Sequence, residues 1–109
     1  MGKIRTRSDT SRMPKDRISL DRTFFALADP TRRAILTRLE RQDGVSVSGL
    51  AHPFPIKLHS VMKHLDVLHD AGLITRVKAG RTVTVRLRSR PMREASKWLA
   101  RYERFGNGR

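Results

Sequence analysis

Four side chains that could hydrogen-bond to a nucleic acid lie close together near the middle of the chain. They are Lys57, His59, Ser60 and Lys63. Lysine can donate to a guanine acceptor or to a phosphate, and histidine and serine can donate or accept. On the first turns of a helix, such groups could contact base edges in the major groove of DNA. This group is therefore a candidate base-reading surface.

A second group of basic side chains follows, in a segment with the pattern of a β-hairpin. Apolar and polar residues alternate from position 82 to 88, which is typical of a strand with one buried face. We predict strands at 73–78 and 82–88, joined by a turn at 79–81. The hairpin supplies candidates for phosphate and minor-groove contacts, namely Arg76, Lys78 and Arg81, with Arg86 as a weaker one.

Helical periodicity predicts the elements that position these groups. Apolar residues at 58, 61, 65 and 68 recur at spacings of three and four, which predicts a helix over 57–71 with Lys63 on the opposite face. Gly72 is suited to cap its C-terminus. A short helix over 46–52 precedes it, with Ser46 as N-cap, and the prolines at 53 and 55 end that helix. We expect Phe54 and Ile56 to pack beneath this turn.

Two helices are predicted before this unit, over 20–28 and 30–42. Asp29-Pro30 is a helix-start signal, because the aspartate can accept from free amides and proline fits the first helical position. Leu20, Phe24, Leu27 and Ala28 share one face of the first helix, and Ile35, Leu36 and Leu39 of the second should point inward. The outer face of the second helix carries four arginines for which solvent exposure is the expectation, namely Arg32, Arg33, Arg38 and Arg41.

The last predicted helix, over 91–105, has an apolar face rich in aromatic residues. A chain of 109 residues has a marginal core on its own, so this face favours an oligomer interface over a cofactor site. We predict a homodimer paired through the first and last helices. The interface residues are predicted to be Phe24, Phe25, Trp98, Leu99, Tyr102 and Phe105.

The resulting fold class is mainly α, with five helices and a small hairpin between the fourth and the fifth. The order of a short helix, a turn, a second helix and a hairpin predicts a winged helix-turn-helix. Residues 1–17 are polar and basic, which predicts a disordered arm before one domain at 18–106.

Composition supports a polyanionic partner. The chain has 24 Lys and Arg against 10 Asp and Glu, a net charge of +14, which usually indicates nucleic acid. It has no cysteine, which excludes disulfides and Cys-based zinc sites. No apolar run approaches the ~18 residues of a membrane span, and no apolar signal segment is present. We expect a cytoplasmic, nucleoid-associated protein.

The same helix carries histidines and carboxylates that could serve other chemistry. His59, His64 and His69 are five residues apart, so their side chains diverge on a helix and cannot meet at one metal ion, although a site shared across a dimer stays open. Asp66 and Asp70 could bind a divalent cation as in nucleases. No nucleophilic triad or phosphate-binding loop is present. We therefore predict no enzyme activity, no metal and no cofactor.

Three segments are similar to a known family. FALADPTRRAIL at 25–36, SVMKHLDVLHDAGLI at 60–74 and WLARYERF at 98–105 resemble the ArsR family of winged-helix bacterial regulators. The resemblance implies a homodimer that binds an operator near a promoter and represses transcription until a signal relieves it. Many members sense metals through cysteines on the third helix or histidines on the last. This chain has neither, so it resembles a subgroup that does not sense metals.

The sequence therefore predicts a sequence-specific DNA-binding regulator, favoured as a repressor, that binds a near-palindromic operator as a homodimer. Its inducer, a small molecule or a protein, is not identified by the residues. The alternative is a nucleoid-type protein that binds nucleic acid without sequence preference, since +14 supplies affinity by counterion release. Lys57, His59 and Met62 depart from the residues usual in the family, so the operator should differ from those of relatives.

Overall fold

The computed structural model describes residues 19–107, with side chains described from 19 to 103. Its elements follow the predicted order, with helix limits within two residues of those predicted: α1 (Leu20–Leu27), α2 (Pro30–Arg41), β1 (Val45–Ser46), α3 (Val47–Ala51), α4 (Leu58–Asp70), β2 (Ile74–Ala79), β3 (Thr82–Leu87) and α5 (Arg90–Asn107). The predicted fold class is confirmed. The arm at 1–17 lies outside the described residues, and the domain limits 18–106 stay a prediction.

The sheet has three strands rather than the two predicted. Strand order is β1-β3-β2, all antiparallel, and Val45 of β1 pairs with Val85 of β3. β1 contains only two residues, too few to show an alternating pattern, so periodicity could not indicate it. Because β1 directly precedes α3, it joins the start of the helix-turn-helix to the β2–β3 hairpin, hereafter the wing.

The predicted helix caps are confirmed. Asp29 Oδ2 accepts from the Arg32 amide at 3.0 Å, and Ser46 Oγ accepts from the Gly49 amide at 3.0 Å. Gly72 has φ +76°, and the chain turns back there as the Leu73 amide donates to the Leu68 carbonyl at 3.0 Å. A left-handed residue at this position favours glycine. The turn directs the chain from α4 into the wing.

The core lies between α4 and the elements packed around it. α4 contacts α1, α2, α3 and β2. Each of these elements contributes fully buried side chains, and the buried set is Ala26, Ile35, Leu50, Val61, Leu65, Leu68, Leu73, Ile74 and Val85. Since α4 is held on several sides by apolar contacts, its position relative to the wing is fixed by the core.

Two apolar residues predicted to be buried are not. Leu58 is 54% exposed and Ile56 is also exposed, whereas Phe54 is half-buried as part of the core margin. Periodicity assigns Leu58 to a face of the helix, but it does not reveal whether neighbouring elements extend as far as the first residue of that helix. We call Ile56 and Leu58 together the α4 tip.

The apolar face of α1 is not the face that is buried in the single chain. The buried residues are Thr23 and Ala26, whereas Leu20, Phe24 and Leu27 are half-buried and Ala28 is exposed. In the single chain, α1 packs against α2, α4 and α5. The residues buried by these contacts lie on a different side of the helix from the large apolar residues. A large part of its apolar surface therefore remains accessible.

Arg32 of α2 corrects a third prediction, since it is buried with only 9% exposure. Its Nε donates to the Ala26 carbonyl at 2.8 Å and its Nη2 to the Phe25 carbonyl at 2.9 Å. The last carbonyls of a helix have no partner within it, so Arg32 is held inside by the C-terminal end of α1. Arg33 donates from the surface to the Leu27 carbonyl at 2.7 Å.

The other two arginines of that face also differ from each other in burial. Arg38 is half-buried and donates to the Gly49 carbonyl at 3.4 Å, whereas Arg41 is exposed as predicted. The periodic pattern correctly placed Ile35, Leu36 and Leu39 in the core. It failed for Arg32 because a long side chain can reach backbone acceptors beside the core from a position that looks external.

Candidate nucleic-acid interface

The first turns of α4 present the candidate base-reading residues to solvent. Lys57, His59 and Lys63 are exposed and Ser60 is half-buried. Lys57 is the N-cap residue of α4, so these side chains occupy the beginning of the helix. Because Val61 and Leu65 on the other face of α4 lie in the core, His59, Ser60 and Lys63 face away from the protein. The structure therefore brings the four predicted residues together on one accessible end of α4.

Two of the basic residues predicted for the wing are accessible to solvent. Lys78 and Arg81 are exposed, on either side of the turn at Gly80 (φ +63°). Within the part of the chain that is described, neither forms an ion pair. Both cations are therefore available to a phosphate at the distal end of the wing.

Arg76 and Arg86 differ from these two. Arg76 is half-buried, and its Nη1 donates to Asp66 Oδ1 of α4 at 2.7 Å. Arg86 Nε lies 3.5 Å from Asp43 Oδ1. Each guanidinium is thus beside an intramolecular carboxylate. Arg76 joins the base of the wing to the candidate base-reading helix, a contact that the sequence did not indicate.

The nuclease and metal hypotheses gain no supporting geometry. Asp66 is engaged by Arg76, so it is not a free metal ligand in this arrangement. Across residues 19–103, no group of three or more His, Cys, Asp or Glu side chains is placed to hold a metal ion.

None of the helices at 19–107 combines the length and apolar character that crossing a bilayer requires.

His64 occupies a hydrogen-bonded position between α4 and α2. Its Nδ1 lies 3.3 Å from Arg32 Nη1 and 3.8 Å from Asp29 Oδ2. The amide of Arg32, donating to the Asp29 carboxylate, holds the pKa of Asp29 below its ordinary value, and the nearby charges of His64 and Arg32 act in the same direction. His64 is thus half-buried and hydrogen-bonded, and it connects α4 to the end of α1 through Arg32.

The predicted dimer residues form an accessible apolar surface on α1 and α5. Phe25 is 63% exposed, and Leu99 and Tyr102 are about half-exposed. Trp98 packs edge-on against Phe24, with ring centroids 5.8 Å apart, and lies 5.1 Å from the Tyr102 ring. The side chain of Phe105 lies outside the described residues. This surface, hereafter the α1–α5 face, is made of aromatic side chains that the single chain covers only in part.

Comparison with known proteins decides the family. A family model described as a helix-turn-helix domain matches residues 27–77. A crystal structure of an ArsR family transcriptional regulator is 43% identical, with a TM-score of 0.76 over 83% of this chain and 92% of that one. The chain belongs to the ArsR family. The resemblance seen in the three segments is therefore confirmed, and the protein is a DNA-binding transcriptional regulator.

Two relatives of this ArsR family member come from Bacillus subtilis strain 168. The transcriptional repressor SdpR is 27% identical over 88 residues, which cover 81% of this chain and 97% of SdpR. The HTH-type transcriptional regulator YuzN is 31% identical over 86 residues, covering 72% of this chain and 94% of YuzN. The family and these relatives are regulators rather than enzymes, which agrees with the function predicted from the sequence.

Proposed function

We propose that this ArsR family protein is a repressor that binds a near-palindromic operator as a homodimer. The observation that carries the proposal is the position of the hydrogen-bonding group on α4. Lys57, His59 and Lys63 are exposed at the beginning of a helix whose other face is locked in the core. A helix held in this way can enter the major groove with its N-terminal residues against the base edges.

Charge along α4 supports that orientation. The lysines at 57 and 63 lie toward the N-terminal end, and Asp66 and Asp70 lie toward the C-terminal end. Phosphates attract the lysines and repel Asp70, whereas the charge of Asp66 is largely offset by Arg76. The end of α4 that enters the groove should therefore be the one with the lysines. In this orientation the wing lies alongside, where Lys78 and Arg81 contact the phosphate backbone or the minor groove.

The α1–α5 face is the surface that we assign to dimerisation. Exposed aromatic and aliphatic side chains on two neighbouring helices of a small protein indicate an interface. Two-fold pairing would place the two α4 helices about 34 Å apart, one turn of B-DNA, and would require an operator with two-fold symmetry. The repressor assignment is supported by the relative SdpR, which is named a transcriptional repressor.

The signal that releases this regulator is proposed not to be a metal held at the sites familiar in the family. α3 contains no cysteine, and α5 carries Glu94 but no histidine. A metal that binds tightly requires three or four convergent ligands. We therefore assign the protein to the members that do not sense metals, with a small molecule or a protein as inducer.

The proposed function is tested by selecting from a random double-stranded DNA pool at about physiological salt. We expect the purified protein to enrich a near-palindrome whose half-sites are about one helical turn apart. Retention of DNA without any enriched sequence would instead identify a nucleoid-type protein that uses its charge alone. Sedimentation of the protein with the selected duplex measures whether two chains bind one operator.

Replacing Lys63 should change which bases are preferred. In the Lys63→Ala variant we expect a loss of roughly 1–3 kcal/mol of discrimination at one base pair of each half-site, because a lysine that donates to guanine acceptors distinguishes that base from others. The measurement is the affinity for a set of operators with single base changes. Equal weakening on every operator would restrict Lys63 to phosphate contact. Lys97→Ala on α5 is the matched control.

Replacing Arg81 should weaken all sequences alike. We expect the Arg81→Ala variant to reduce the slope of log affinity against log salt by about one, since one phosphate contact releases about one counterion. Titrations at four salt concentrations measure the slope on the operator and on an unrelated duplex. Arg41→Ala, which removes an exposed arginine of α2, should leave the slope unchanged. An unaltered slope for Arg81→Ala would remove the end of the wing from the interface.

A further inference from the structure

The α4 tip consists of two exposed apolar residues that lie beside the candidate base-reading residues in the sequence. Leu58 is 54% exposed, and Ile56, two residues earlier in the chain, is 38% exposed. The other large apolar residues of α4 all belong to the core or pack against it: Val61, Met62, Leu65, Val67 and Leu68. Leu58 therefore stands apart, as an apolar residue of this helix whose side chain is largely accessible to solvent.

The position of Leu58 determines what it can meet. It lies between Lys57 and His59, both exposed, at the first residue of α4. Side chains of a helix point toward its N-terminus, so that of Leu58 extends beyond the end of the helix rather than along it. Any polyanion drawn to the lysines at 57 and 63 approaches this same end. A partner that complements both the two lysines and the α4 tip must present phosphates to the lysines and an apolar group to Leu58.

We propose that Leu58, supported by Ile56, recognises the C5-methyl group of a thymine in each operator half-site. The thymine methyl is the apolar group that the major groove of DNA presents, and aliphatic side chains contact it. The lysines bring the phosphate backbone and the guanine acceptors to the tip, and Leu58 then covers the methyl group. This inference rests on the proposed insertion of α4 into the major groove, and it adds an apolar contact to the hydrogen-bonding group.

The experiment replaces the thymines of the selected operator, one at a time, with deoxyuridine, which pairs identically but lacks the methyl group. At one position of the half-site we expect the wild-type affinity to fall about fourfold, the effect of losing one buried methyl group. Substitution in both half-sites should lower it by roughly 15-fold. The Leu58→Ala variant should bind the unmodified operator correspondingly less well and should show no further loss with deoxyuridine.

Three variants serve as controls. Val77→Ala removes an equally exposed apolar side chain, 53% exposed on β2, and should keep the full deoxyuridine effect. Leu58→Met retains an apolar side chain and should recover part of the affinity. Lys63→Ala should keep the deoxyuridine effect while changing the preferred base elsewhere. Thermal melting compares the folding of each variant with that of the wild type.

The outcomes separate this inference from the proposed function. If Lys63→Ala changes base preference but Leu58→Ala keeps the full deoxyuridine effect, α4 enters the groove and the methyl contact is wrong. A selected half-site without thymine also overturns the methyl contact. A Leu58→Ala variant that changes oligomeric state but keeps the deoxyuridine effect overturns it too, because the α4 tip then contacts protein. If the pool yields no preferred sequence, both the inference and the proposed function fail. If it yields a near-palindrome that neither variant alters, the inference fails and the proposed function stands.

Discussion

We expect the Trp98→Ala variant to sediment as a monomer and to lose at least about 100-fold in operator affinity. Trp98 lies at the centre of the α1–α5 face, with Phe24 on one side and Tyr102 on the other. Truncating an aromatic residue at the centre of an interface typically costs 2 kcal/mol or more. A monomer loses further, because the second half-site then binds as a separate molecule rather than at the effective concentration set by the dimer.

Two further variants make this result interpretable. Trp98 also packs within its own chain, so the loss of its ring will lower the stability of α5 on α1. Leu99→Glu changes a half-exposed residue of the same face and should give monomers with the fold intact, as far-ultraviolet circular dichroism would report. Lys97→Ala, on the solvent side of α5, should remain dimeric. A folded Leu99→Glu variant that still sediments as a dimer would place the interface elsewhere.

The elements of this fold were predictable wherever a local signal was strong. The apolar spacing at 61, 65 and 68 identified α4, and Asp29 and Ser46 marked helix starts because a short polar side chain can accept from free amides. β1 was not predictable, since a strand of two residues carries no period. Its pairing of Val45 with Val85 depends on tertiary contacts between segments that are distant in sequence.

The candidate interface was predictable in its hydrogen-bonding part only. Lysine and arginine near a predicted helix start or hairpin turn indicate phosphate and base contacts from residue type alone. The contact between Arg76 and Asp66 was missed because it joins β2 to α4 and has no short spacing in the sequence. Leu58 was missed because the pattern that assigns it to the core says nothing of where the core ends. Whether a residue at the end of a helix is buried depends on how far the neighbouring helices and strands extend.

The Arg32→Ala variant should lower the free energy of unfolding by about 2–4 kcal/mol, with a smaller effect on the dimer contacts themselves. The buried guanidinium donates to the carbonyls of Phe25 and Ala26, and a hydrogen bond from a charged donor contributes about 1.5–3 kcal/mol. Its removal leaves the end of α1 with unsatisfied carbonyls and takes away the partner of His64 Nδ1. Urea unfolding at a fixed protomer concentration measures the loss.

Arg33→Ala is the matched control, because Arg33 is adjacent and also donates to a carbonyl of α1, that of Leu27. Arg33 is exposed, so water can replace its hydrogen bond, and we expect a loss of about 0.5–1 kcal/mol. Equal losses for the two variants would mean that burial of Arg32 contributes little. A larger loss for Arg32→Ala would show that the buried hydrogen bonds of Arg32 stabilise the fold more than the exposed one of Arg33. Since Arg32 contacts both α1 and His64 of α4, operator affinity should then fall further for Arg32→Ala than for Arg33→Ala.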